Sequence, residues 1–106
     1  MAIDNEPKNL QEFKSLIASD KLTAVDFHAQ WCGPCKIVGP KFVKLVEVYP
    51  NVQFAKVDVD EGADIAEEYS IRAMPTFLFF KDGVKVGEVV GANIAAVEAK
   101  IKEFSS

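Results

Sequence analysis

This chain of 106 residues is short of the side chains from which most metal centres, disulfide frameworks and nucleic-acid surfaces are built. It has two cysteines, one histidine and one tryptophan, and 16 acidic against 12 basic residues. The net charge of -4 leaves no basic footprint for nucleic acid or anionic lipid. Long apolar runs are also missing. The strongest, Phe77 to Phe80, is far too short to span a membrane. Met1 to Pro7 is acidic and lacks the apolar stretch of a secretory signal, and Ser105-Ser106 matches no retention or lipidation signal. A cytosolic or nuclear location is the resulting expectation. With 49% hydrophobic and 26% charged residues, the composition suits one globular domain over 1–106 with a single buried core.

What the chain does have is both cysteines inside one pentapeptide, Trp31-Cys32-Gly33-Pro34-Cys35. The largely apolar run Leu22 to Ala29 leads in, and a helix-competent segment follows. Cys32 is thus expected at a helix N-terminus, where unpaired N–H groups and the helix dipole favour an anion. A thiol held there ionises more easily, and the thiolate is the form that attacks disulfides. Cys35, three residues on, lets the pair open and close as a disulfide within one turn.

Three other readings compete. A structural staple closing so short a loop would remove only roughly 2 kcal/mol of unfolded-state entropy. A closed zinc site needs four ligands. With His28 the only other soft donor, one chain cannot supply them, although two chains could share four cysteines. Two inert buried cysteines sit poorly with an intervening Gly-Pro, which marks a turn. In a reducing compartment a CxxC pair is more often catalytic than structural.

Linkers, repeats and low-complexity stretches are absent. Asn9 and Glu12 resemble a capping box, followed by Leu10, Phe13, Leu16 and Ile17 at helical spacing. Ala24 to Gln30 reads as a strand with Val25, Phe27 and Ala29 on one face and Ala24, Asp26 and His28 on the other. Pro34 suits a first helical turn, and Val38, Phe42, Leu45 and Tyr49 form the buried stripe of that helix. Pro40 should kink it before Tyr49-Pro50-Asn51 ends it.

Val52 to Val59 reads as a second strand and Asp64 to Tyr69 as a short helix. Thr76 to Phe80 reads as a strand covered on both faces, and Asp82-Gly83 as a hairpin turn into Val84 to Val90. Asn93 can cap a last helix with Ile94, Val97, Ile101 and Phe104 inward. Ala2-Ile3 is an optional extra strand. The pattern implies an α/β fold: a mixed sheet of four to five strands with about four helices on its two faces.

Trp31-Cys32-Gly33-Pro34-Cys35-Lys36, the preceding Val25-Asp26-Phe27 and the later Met74-Pro75-Thr76 together resemble the thioredoxin family. Lys56-Val57-Asp58-Val59-Asp60 and Val90-Gly91-Ala92 are also similar to it, and the resemblance runs from about Asn9 to Phe104 in the family's order. A CxxC beside a βαβ pattern is itself a known signature of that family. The resemblance implies the thioredoxin fold and a protein-disulfide reductase of the cytosolic type. Cys32 would attack the substrate disulfide and Cys35 would resolve the mixed disulfide. No bound cofactor or metal is implied. The Cys32–Cys35 disulfide would be the redox group, re-reduced by a thioredoxin reductase at the expense of NADPH. Disulfide proteins such as peroxiredoxins or ribonucleotide reductase would be the substrates, and the chain would act as a monomer.

Cys35 must lose its proton to resolve the intermediate, and Asp26 is the candidate base, directly or through a water. A mid-strand carboxylate among apolar residues is costly unless it keeps a proton or finds a partner. The alternative is that Asp26 points to solvent from a half-exposed strand. By resemblance Lys56 neighbours Asp26 and modulates its titration; an ordinary exposed lysine is the other reading. Also by resemblance, Pro75 is cis and faces the dithiol, although X–Pro bonds are usually trans. Trp31, Gly33, Pro34, Met74, Pro75, Gly91 and Ala92 would then form an apolar docking surface, with the Met74 backbone pairing with a substrate strand. Trp31 could instead be simple core packing. His28 is read as structural.

A second redox reading is an oxidase or isomerase of the protein disulfide isomerase type. That family usually has His between the cysteines and a secretory signal, and this sequence has neither. A third is a thiol-independent binding module using the surface around Trp31, which would survive serine at both cysteines.

Overall fold

The computed structural model describes residues 3–105. The elements run α1 (Leu10–Ile17), β1 (Thr23–His28), α2 (Gly33–Val48), β2 (Gln53–Asp58), α3 (Ala63–Glu68), β3 (Thr76–Lys81), β4 (Val84–Val90) and α4 (Ile94–Ser105). The sheet has the order β2-β1-β3-β4. β1 pairs parallel with β2, while β3 is antiparallel to both β1 and β4. This is the mixed sheet expected, with four strands among the described residues.

Local sequence explains most boundaries. The Asn9 side chain accepts the Glu12 N–H at 2.9 Å and starts α1. The Glu12 carboxylate reaches the Lys8 N–H, also at 2.9 Å, so it closes one residue ahead of a standard capping box. β1 stops at His28 rather than continuing to Gln30, because Ala29 already accepts the Cys32 N–H at 3.2 Å in a turn. In α2 the helix runs on through Pro40 to Val48. Asp82 (φ 54°) and Gly83 (φ 81°) both take positive φ, the requirement of the tight hairpin that turns β3 into β4. Asn93 accepts the Ala96 N–H at 3.0 Å and opens α4.

The two faces of the sheet bury separate cores. On one, Val25, Phe27, Ala55, Val57, Leu78 and Phe80 pack against Phe13 and Ile17 of α1 and Ile65 of α3. On the other, Ala24, Phe54, Phe77 and Phe79 meet Val38, Phe42 and Leu45 of α2 and Val97 and Ile101 of α4. β3 is buried on both sides from Thr76 to Phe80, which is why its sequence lacks alternation. The optional strand at Ala2-Ile3 falls partly outside the described residues. Ile3 itself is buried in the α2-side core outside any strand, and the nearby bridge joins Asn5 to Ala55.

Candidate active site

Strand alternation puts Asp26 and His28 on the α2 face of β1, and the parallel register sets Lys56 beside Asp26 and Asp58 beside His28. Directly after the β1 turn, Cys32 serves as the N-cap of α2, with Gly33 and Pro34 filling the first helical positions. Its sulfur accepts the Cys35 N–H at 3.2 Å. The same sulfur lies 3.6 Å from the Met74 carbonyl oxygen. Cys32 and Cys35 are joined as a disulfide with Cα atoms 5.3 Å apart, and they are only 5% and 6% exposed. Ala29, Val59 and Met74 pack around them.

Behind the disulfide lies a cleft of about 550 Å³, walled by Asp26, His28, Cys35, Lys36, Pro40 and Lys56 among others. Asp26 is 5% exposed, which overturns the reading of a solvent-pointing carboxylate. Its Oδ1 is buried without a hydrogen-bond partner. Desolvation raises its pKa from 3.8 to about 7, with the Lys56 charge pulling the other way. Lys56 is partly exposed and its ammonium lies 3.7 Å from Glu6, so it is neither deeply buried nor free.

The remaining predicted residues lie in the motif itself, in the Met74-Pro75 segment, whose Met74 carbonyl approaches Cys32, and in the Gly91-Ala92 turn. Met74–Pro75 is cis, with Pro75 buried and Met74 partly so. The Gly91 N–H donates to the Pro75 carbonyl at 2.9 Å, which ties the Gly91-Ala92 turn to that loop. Gly91 has φ 102°, a conformation that favours glycine. Gly33 and Pro34 are exposed, and a Cβ added at Gly33 would meet no atom within 4 Å. Trp31 is 67% exposed, so it is not a core residue; its Nε1–H donates to Asp60 at 3.1 Å.

Sequence reasoning missed Asp60 and Ile37. Ile37 is an apolar side chain 67% exposed on α2, just beyond the motif. Its signal was available: it falls off the Val38-Phe42-Leu45 stripe. Among the described residues, no group of three or more His, Cys, Asp and Glu could hold a metal ion, and no helix is long and apolar enough to cross a membrane.

The thioredoxin family model matches residues 5–103. The chain belongs to the thioredoxin family. It is 52% identical over 94 residues to Thioredoxin-1 of Saccharomyces cerevisiae, covering 89% of this chain and 91% of that one. To Thioredoxin-2 of Pyricularia oryzae it is 54% identical over 93 residues; that match takes in 88% of this chain but only 54% of the relative. A solved structure concerned with thiol resolution in yeast mitochondrial 1-Cys peroxiredoxin through glutathione and thioredoxin systems superposes with a TM-score of 0.90, at 46% identity and 94% coverage of both chains. The protein is therefore a thiol–disulfide oxidoreductase of the protein-disulfide reductase kind, and the Cys32–Cys35 disulfide is its redox group. Disulfide-bearing proteins are its class of partner.

Proposed function

We propose that Cys32 attacks the substrate disulfide and Cys35 resolves the mixed intermediate, within one thioredoxin domain that spans the chain. The observation that carries this order is the Cys35 N–H donated to the Cys32 sulfur at the start of α2. Reduction frees two thiols, and the hydrogen bond and helix dipole then favour negative charge on the first sulfur, not the second. Cys32 thiolate attacks one substrate sulfur and expels the other. Cys35 loses its proton and attacks Cys32, which restores the Cys32–Cys35 bond and releases the substrate as a dithiol.

Asp26 is the base for that proton. It walls the same cleft as Cys35 and, with a pKa of about 7, it can both accept and release a proton near neutrality. Lys56, beside it in the sheet, keeps its acidity from falling further. Trp31, Gly33, Pro34, Met74, Pro75, Gly91 and Ala92 form the docking surface, to which Ile37 adds apolar area. A thioredoxin reductase using NADPH returns the pair to the dithiol. Peroxiredoxins and ribonucleotide reductase are fitting substrates because each presents a disulfide for reduction. The protein acts as a monomer in the cytosol, where a reducing poise favours catalytic over structural cysteine pairs.

Insulin-disulfide reduction with reductase and NADPH tests the cycle, and trapping tests the order. Cys32→Ser should abolish turnover. Cys35→Ser should accumulate mixed disulfides through Cys32, identified by mass spectrometry. Equal trapping by both variants would reverse or dissolve the assignment.

A further inference from the structure

Two buried side-chain polar atoms among the described residues lack a hydrogen-bond partner, and both belong to β1: Asp26 Oδ1 and His28 Nε2. Such atoms are uncommon in native folds and call for an explanation. Both residues wall the cleft behind Cys35. They stand two apart on one face of a strand, roughly 6.6 Å along its axis, a spacing that one or two hydrogen-bonded waters can bridge. The cleft is roomy and polar enough there to hold them. His28 is half-buried, so part of the residue meets solvent although its Nε2 is fully covered.

The proton cycle leaves a task unassigned. Asp26 can take the Cys35 proton only when it is itself ionised, and this carboxyl, 5% exposed and with a pKa of about 7, holds a proton in part of the reduced molecules; that proton has to reach solvent before resolution can start. From these positions we infer that His28 carries the proton between Asp26 and bulk water, acting as a positioning residue that works through Asp26 and never touches the reacting sulfurs. The inference rests on the assignment of Asp26 as the base. In the step, the O–H bond of the Asp26 carboxylic acid breaks, a cleft water passes the proton on, and an N–H bond forms at Nε2. The imidazolium then breaks its Nδ1–H bond to give that proton to solvent, a ring flip restores the tautomer with an open Nε2, and no electrons change hands.

The charges around the ring suit a transient carrier. Burial holds the imidazole below its ordinary value, so it is neutral and ready to accept, while the carboxylates of Asp58, Glu6 and Glu61 favour the protonated ring. The Lys56 charge opposes them, and Lys36 walls the same cleft. Asp58 flanks His28 in the register and accepts the N–H groups of Asp60 and Glu61, which fixes its carboxylate in place. None of these neighbours replaces the imidazole, because none lines the strand face next to Asp26 with an unpartnered buried atom.

The test oxidises reduced protein with dithiobis(nitrobenzoate) and follows the two thionitrobenzoate releases. The first reports attack by Cys32 and the second resolution by Cys35. In limiting buffer, His28→Gln should slow the second release about fivefold, less than the loss of a direct acid–base group, and leave the first unchanged. Added imidazole should restore the second release in His28→Ala but not in Asp26→Asn. A merely structural histidine would not be rescued this way. A second release within about twofold of the parent in His28→Gln, with Asp26→Asn clearly slowed, overturns the inference and spares the Asp26 assignment. If Asp26→Asn leaves both releases unchanged, the base assignment falls, and the relay with it. Should the His28 variants not fold, proton NMR of the ring in the unmodified protein decides. Its ring signals should show a step near pH 7, where Asp26 ionises, that disappears in Asp26→Asn. A ring that does not sense this step shows the two groups to be uncoupled and refutes the relay.

Discussion

Asp26→Asn should stabilise the folded protein, and by an amount that grows with pH. The carboxyl is 5% exposed and its pKa is raised from 3.8 to about 7 by desolvation, with Lys56 opposing. Between those two values the folded protein keeps a proton that the unfolded chain has already released. Stability linked to Asp26 is therefore fully present below the unfolded value and is lost as pH rises through the folded one. Roughly three pH units at ~1.4 kcal/mol each make about 4 kcal/mol of destabilisation once the group is ionised. Asparagine fills nearly the same volume without a charge, but its amide must still be buried, which returns part of the gain. The expected net advantage is about 2–4 kcal/mol near pH 8 and below ~1 kcal/mol near pH 4. Urea melts of the oxidised proteins across that range measure it. With a slope of about 1–1.5 kcal/mol per molar urea, the midpoint difference near pH 8 should exceed ~1.3 M. A gap that does not change with pH, or an asparagine form less stable near pH 8, would refute the picture of a strained, desolvated carboxylate.

Pro34 occupies the second position of α2, where an N–H could reach the Cys32 sulfur as the Cys35 N–H does. Pro34→His restores that donor and adds a chargeable ring; if together they favour the thiolate by about 1.4 kcal/mol, the reduction potential should rise by roughly 30 mV, measured against a glutathione buffer. No rise would exclude thiolate stabilisation as the lever. Trp31→Ala should leave stability within about 0.5 kcal/mol, given 67% exposure, yet raise KM for protein disulfides about tenfold with kcat little changed. Steady-state kinetics with insulin decides that, and an unaltered KM removes Trp31 from the docking surface. Phe42 is fully buried between Phe54 and Phe77, at ring-centroid distances of 5.4 and 5.2 Å. Phe42→Ala should cost about 3–5 kcal/mol in urea unfolding, and a loss below ~1 kcal/mol would mean that the α2-side core can collapse around the gap.

Features that depend on near neighbours are legible in the sequence alone. The Asn9 and Asn93 caps, the Asp82-Gly83 turn, the doubly covered β3 and the helix start at Cys32 all follow from residues within a few positions of one another. The placement of Asp26 on the His28 face was equally readable from alternation. Strand ends were less so. β1 stops two residues early because a turn bond from Cys32 to Ala29 competes with the ladder, a choice that apolar pattern does not encode.

The sequence by itself determined the chemistry and the scaffold: a paired thiol at a helix start, and strands and helices in the order that builds a mixed sheet. Tertiary structure decided the environment of each group. Whether Asp26 is strained or solvated depends on what α2 and β2 lay over it. That Trp31 stays out of the core, held to Asp60 29 residues away, is likewise set from a distance. The carbonyl beside the Cys32 sulfur comes from Met74, 42 residues on. Burial, pKa and the pairing of β1 with its neighbours are sums over contacts between distant segments. A local sequence pattern specifies which face a side chain takes, and only the closed fold specifies what that face meets.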